Sequence, residues 1–156
     1  MIKEKFNLEG KVAVITGASK GIGKAIALGF AEFGAHVVVS SRSEEAVKNV
    51  ETEFKSKGFS VSSLKCHVGN KEDRINLIET TLKAHGRIDI LVNNAGTNPY
   101  FGPIHKMPAE AYQKTMDINL NSAIELSNLV YPIMKSQNSG NIIHISSIEG
   151  LSLIHI

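Results

Sequence analysis

The chain has 156 residues, 42% of them hydrophobic and 21% charged, which suits one folded domain with a real core and excludes a disordered segment. A net charge of +2 without any basic run argues against a nucleic-acid or membrane-surface partner. No apolar stretch approaches membrane-spanning length and the first ten residues are polar, so the expected compartment is the cytoplasm.

The elements follow in a regular rhythm. Short apolar runs at residues 11–16, 36–40, 60–66, 88–92 and 141–145 predict strands covered on both faces, as in a parallel sheet. Helical patterns lie between them. Ile22, Ile26, Phe30 and Phe33 form one apolar face; Val47, Val50 and Phe54 form a second; Ile75, Ile78 and Leu82 form a third. Ser43 and Asn70 stand at N-cap positions with acidic residues just after them. Gly34, Gly58, Gly86 and Gly140 each close a segment before the next strand, where a left-handed cap is expected. Residues 108–136 are mostly helical, with Pro108 near the start and Pro132 expected to kink or shorten the far end. Alternating strands and helices predict an α/β fold of the Rossmann type, a doubly wound parallel sheet. The single cysteine, Cys66, excludes an intramolecular disulfide and reads as a small buried hydrophobe. The six histidines show no metal-ligand spacing.

The chemistry is concentrated after the first strand. Thr16-Gly17-Ala18-Ser19-Lys20-Gly21-Ile22-Gly23 opens a helix, the context in which a Gly-rich turn cradles a dinucleotide pyrophosphate. Gly17 allows the tight turn, Gly21 lets backbone approach phosphate, and Gly23 lets helix and strand pack closely. Ser19, Lys20 and Ile22 share the turn and are expected cofactor contacts. At the end of the second strand, where an NAD-binding fold usually carries an acid for the ribose hydroxyls, Ser41 stands, followed by Arg42. Nothing there repels a 2′-phosphate, and a guanidinium pairs well with one. With Lys20 as a second cation, the expected cofactor is NADP(H).

Four ordered motifs make the chain resemble the short-chain dehydrogenase/reductase family, compact type. They are the Thr-Gly-X-X-X-Gly-X-Gly turn, Asn93-Asn94-Ala95-Gly96, Asn119 within Asp117-Ile118-Asn119-Leu120, and Ser146-Ser147. The resemblance runs from about Leu8 to Gly150. It implies that Asn94 contacts the cofactor, that Asn119 serves a proton relay, and that Ser147 bonds the substrate carbonyl. Val68 is implied to pack on adenine; its neighbour His67 departs from the Asp usual in the family and reads as a loop-edge histidine. Cys66-His67-Val68-Gly69 and Asn98-Pro99-Tyr100-Phe101-Gly102 resemble the family's carbonyl reductases, some of them peroxisomal. A ketone or secondary alcohol is therefore the expected substrate class. The rival reading is a nucleotide-binding module without catalysis, since fold alone does not decide function; Asn119 and Ser147 favour the enzyme.

The family's catalytic Tyr and Lys follow the serine by roughly a dozen residues, and this chain ends before them. Tyr100, Tyr112 and Tyr131 all precede Ser147, and none opens a Tyr-X-X-X-Lys. The chain is expected to be the N-terminal part of a longer domain, residues 1–150, and to be inactive as a reductase. Any C-terminal peroxisomal address would then be missing. Residues 151–156, Leu-Ser-Leu-Ile-His-Ile, are what CTG-TCT-CTT-ATA-CAC-ATC encodes, a string resembling a sequencing-library adapter, so they are expected to be non-native. The family's helix over residues 123–135 commonly meets its symmetry mate. Its apolar positions here, Ile124, Leu126, Leu129, Val130, Ile133 and Met134, spread wider than one core-facing stripe, so a homo-oligomer is expected.

Overall fold

The computed structural model describes residues 6–147; the tail over 151–156 lies outside them. The elements are β1 (Val12–Thr16), α1 (Gly21–Glu32), β2 (His36–Ser41), α2 (Glu44–Ser56), β3 (Val61–Lys65), α3 (Lys71–His85) and β4 (Ile90–Asn93). After a loop come α4 (Ala109–Met116), a π turn (Asp117–Asn121), α5 (Ser122–Ser136) and β5 (Asn141–His144). The sheet order is β3-β2-β1-β4-β5 with every pair parallel. Chain order reverses between β1 and β4. That reversal opens a crevice at the carboxyl ends of the strands, where α/β folds take their ligands.

Alternation along the strands feeds two cores. Ala13, Ile15, Val37 and Val39 pack under α1 and α2, where Val47, Val50 and Phe54 form the predicted face of α2. Val12, Val14, Val38 and Leu91 pack on the other side with Leu77, Leu126 and Val130 of α3 and α5. Ser43 and Asn70 cap their helices, their side chains accepting from the amides of Ala46 and Asp73. Gly34, Gly58 and Gly86 adopt the expected left-handed conformation.

Four expectations shift. The buried stripe of α1 is Gly23, Ala27 and Ala31, not the large apolar residues, and Ile22 is 64% exposed. The helix lies so close to β1 that only small side chains fit beneath it. On α3 the stripe turns slightly, burying Arg74, Leu77, Ile78 and Thr81 while Ile75 and Leu82 stay half-buried. Arg74 is tolerated inside because its guanidinium meets Glu125 and the Val68 carbonyl. The left-handed residue before β5 is Asn138, whereas Gly140 is small because an added Cβ would strike Met134 at 2.3 Å. Finally, α5 runs through Pro132 to Ser136, and the long helical stretch is interrupted instead by the π turn.

Candidate functional site

The crevice is organised by one buried hydroxyl. Thr16 ends β1, and its Oγ1 donates to the Val92 carbonyl at 3.2 Å while accepting the amides of Asn94 and Ala95 at 3.0 and 3.1 Å. Asn94 returns the tie, its Nδ2 donating to the carbonyl oxygens of Thr16 and Gly17 at 2.9 and 3.1 Å. Asn94 thus satisfies the backbone of the Gly-rich turn and holds it against the end of β4. The packing leaves no room for more. A Cβ on Gly23 would lie 2.4 Å from Asn94 Nδ2 and 2.5 Å from the Gly17 carbonyl oxygen, and one on Gly17 would lie 2.9 Å from Ala95 Cα. The Ala18 amide bonds the Ser40 carbonyl at 2.9 Å, tying the turn to β2 as well.

Gly21 is different. It needs its positive φ of 58°, yet an added Cβ there would meet no protein atom within 4 Å. The space beside it is open, and Lys20 at the N-cap of α1 makes no side-chain capping bond. Helices α2 and α3 have such caps, so among these three α1 alone keeps its first-turn amides free of a side-chain acceptor. Uncapped amides, the positive end of the helix and open space at a glycine together fit a phosphate group.

At the ends of β2 and β3 the character changes. Ser41 is nearly buried, and its hydroxyl donates to the Ser43 carbonyl and accepts the Ser43 amide, closing a local turn. Arg42 is exposed and lines a groove of about 610 Å³ with Lys65, His67, Gly69, Asn70 and Asp73. Lys20 is exposed at the start of α1 and does not line this groove. His67 stands at its wall, its amide donating to Asp73 Oδ2 at 2.8 Å. Val68 is buried in the second core with Cys66, Leu77 and Ile118. Burial, reinforced by the Asp73 charge, pushes the Cys66 thiol up to about 11, so it stays protonated at neutral pH and is no nucleophile.

Asn119 lies in the π turn, where helix hydrogen bonding slips by one residue. Its carboxamide clamps the backbone of Thr97 at two points, accepting the amide at 2.8 Å and donating to the carbonyl at 2.9 Å. This pins the loop after β4 to the helix. Ser147 is exposed beyond the carboxyl end of β5, the end at which Asn94 follows β4. Among the described residues no cluster of three His, Cys, Asp or Glu could hold a metal ion, and no helix is long and apolar enough to cross a membrane.

The family model for short chain dehydrogenases matches residues 11–155. The chain belongs to that family. Short-chain dehydrogenases are oxidoreductases with a nicotinamide cofactor. Human dehydrogenase/reductase SDR family member 4 is 43% identical over 145 residues, which is 93% of this chain and 52% of that protein. The chain therefore spans about half the length of the curated relatives it matches. Among solved structures, gox2181 is similar with a TM-score of 0.95 and 32% identity, over all of this chain and 61% of that one. A metagenomic short-chain oxidoreductase in complex with NADP has a TM-score of 0.89 and 37% identity, over 94% of this chain and 66% of that one.

Reading the motifs missed two features of this site. The Thr16 hydroxyl was visible only as the first letter of the Gly-rich motif, although three bonds converge on it. Lys65 was visible only as the end of a strand, because its place beside Arg42 depends on the pairing of β2 with β3.

Proposed function

We propose that the chain is the cofactor-binding part of an NADP(H)-dependent oxidoreductase acting on a ketone or secondary alcohol. The observation that carries the cofactor choice is the end of β2. Ser41 stands where an acid would hold the ribose of NAD, its hydroxyl turned inward to Ser43, and Arg42 projects into an open groove beside it. The relative solved with NADP supports the same choice. The amides of Gly21, Ile22 and Gly23 would hold the pyrophosphate, with Ser19 and Lys20 on the turn and Asn94 setting its shape. Val68 would offer the edge of its side chain to adenine.

The nicotinamide supplies or accepts the hydride when bound. Ser147 would orient the substrate oxygen by hydrogen bonding. Asn119, with its side chain committed to Thr97, leaves its main chain to the proton relay that the family resemblance assigns to it. No tyrosine of this chain follows Ser147; the proton donor is proposed to lie outside the 156 residues, and this chain to bind cofactor without turning it over. Ketone-dependent NADPH oxidation by the purified chain would contradict that.

The intact protein is further proposed to be a homo-oligomer. On α5, Leu126, Val130 and Met134 are buried and Leu129 and Ile133 pack partly against the same core, so of the six expected positions Ile124 alone is exposed; with Tyr131, seven residues on, it forms an exposed stripe. A second copy covering this stripe would remove it from water, and a monomeric mass by light scattering would count against it.

The cofactor assignment is tested by titrating NADPH and NADH into the wild type and Arg42→Ala. Loss of a phosphate-paired arginine should weaken NADPH about ten- to a hundredfold and leave NADH nearly unchanged. Equal NADPH affinity in the two proteins would overturn the assignment.

A further inference from the structure

We infer that Lys65 is a second specificity-determining cation, acting with Arg42 on the 2′-phosphate of the adenosine ribose. The inference rests on the NADP(H) reading above and deepens it. It starts from strand register. β2 and β3 are parallel with Ser41 opposite Lys65, and the Cys66 amide bonds the Ser41 carbonyl at 2.9 Å. The pairing therefore delivers Lys65 and Arg42 to the same groove at the carboxyl ends of the two strands.

Charge pairing separates these two residues from the lysines of α1, of α2 and of the α2 C-cap. Lys24, Lys48, Lys55 and Lys57 are each joined to a glutamate at 2.5–2.9 Å. Among the described residues, neither Arg42 nor Lys65 is in an ion pair. The carboxylates nearby hold other partners, although Asp73 also lines the groove. Asp73 Oδ2 accepts the His67 amide at 2.8 Å, and Glu44, which feels the Lys65 charge, is bonded to Lys48 at 2.6 Å. Arg42 and Lys65 outnumber the one carboxylate that lines the groove, a balance that favours a bound anion.

The ligand chemistry asks for two. A phosphate monoester carries about −1.5 to −2 charge near pH 7, more than one guanidinium neutralises. Arginine supplies a planar fork and lysine a compact point charge with rotatable donors. Lys20 does not line the groove, and the Ser41 hydroxyl is closed on Ser43. Lys65 shares the groove lining with Arg42.

The probes are adenosine 2′,5′-bisphosphate and 5′-AMP, which differ only in the 2′-phosphate, titrated calorimetrically into the 156-residue chain, Lys65→Gln, Lys65→Arg and Arg42→Ala. Lys65→Gln should weaken the bisphosphate about three- to tenfold, with the loss shrinking at high salt. Its 5′-AMP affinity should not move, which also reports an intact fold, and Lys65→Arg should restore most of the bisphosphate affinity. Full bisphosphate preference in Lys65→Gln, alongside a reduced one in Arg42→Ala, would overturn the inference and leave the cofactor reading standing. Equal binding of the two nucleotides by the wild type would overturn both.

Discussion

The two sides of the crevice are built on opposite rules. Where β1 meets β4, Thr16, Asn94, Gly17 and Gly23 interlock so closely that one added methyl would sit within 2.5 Å of its neighbours. Where β2 meets β3, the strand ends carry unpaired cations around an open groove, and the pairing is fastened at its far end by a histidine. His36 of β2 bonds Ser60 through Nδ1 at 2.7 Å and Ser62 through Nε2 at 3.0 Å. The first region fixes a backbone shape with groups that do not titrate. The second presents charge and depends on a group that does. A phosphate-binding turn needs the shape before any ligand arrives, whereas a discriminating groove needs charge that stays unsatisfied until then.

The sharpest break in this contrast comes at the glycines. Gly23→Ala forces a clash with the Gly17 carbonyl and the Asn94 amide, and should cost about 2–3 kcal/mol by overpacking. Gly21→Ala meets no atom and should cost only about 1 kcal/mol, from its positive φ. Urea denaturation of the two variants checks the order; equal losses would mean that the seam is not as tight as described.

Next is Thr16→Val, which keeps the shape and removes the hydroxyl. The amides of Asn94 and Ala95 lose their acceptor, so a loss of about 1–3 kcal/mol is expected. The amide exchange of those two residues should speed up. Unchanged exchange there would separate Thr16 from the bracing of the turn.

The smallest effect tests the other region. Burial first, then the charges of His85 and Lys55, lowers the His36 pKa to about 4, with Glu51 opposing them. The ring of His85 is tilted against it, with centroids 4.0 Å apart. Between about pH 6.5 and 4 the unfolded chain binds a proton at His36 that the folded chain refuses. Stability is therefore full above pH 6.5 and falls as the pH drops toward 4. After allowance for screening of a half-exposed ring, the loss should be about 1–2 kcal/mol. His36→Gln should flatten that part of the stability–pH curve, and an unaltered slope would assign it elsewhere.

Much of this was legible in the sequence for a simple reason. Strand periodicity, Ser43 and Asn70 caps and the Gly-rich turn are local signals, and local signals place local structure. The face of α1 was misjudged because Ile22, Ile26, Phe30 and Phe33 dominate a hydrophobic pattern, while the contact was set by how closely the helix approaches β1. The better clue was Gly23, Ala27 and Ala31 at one-turn spacing. Gly140 was read as a backbone device when its role is to make room for Met134. Thr16 and Lys65 were missed for the same underlying reason: their partners lie on other strands, and strand pairing is not written in any short window. Asn119 was legible only through the motif around it, and its clamp on Thr97 required the π turn to be seen.

The central claim is that this chain holds the adenosine-phosphate half of NADP(H) between the uncapped end of α1 and the groove at Arg42. Amide chemical-shift mapping of the labelled 156-residue chain with NADP⁺ tests it most directly. The account predicts the largest shifts at Gly17 to Gly23, with a second set at Ser41 to Ser43 and Lys65 to Asn70. Shifts centred elsewhere, with these two segments unmoved at saturation, would contradict it.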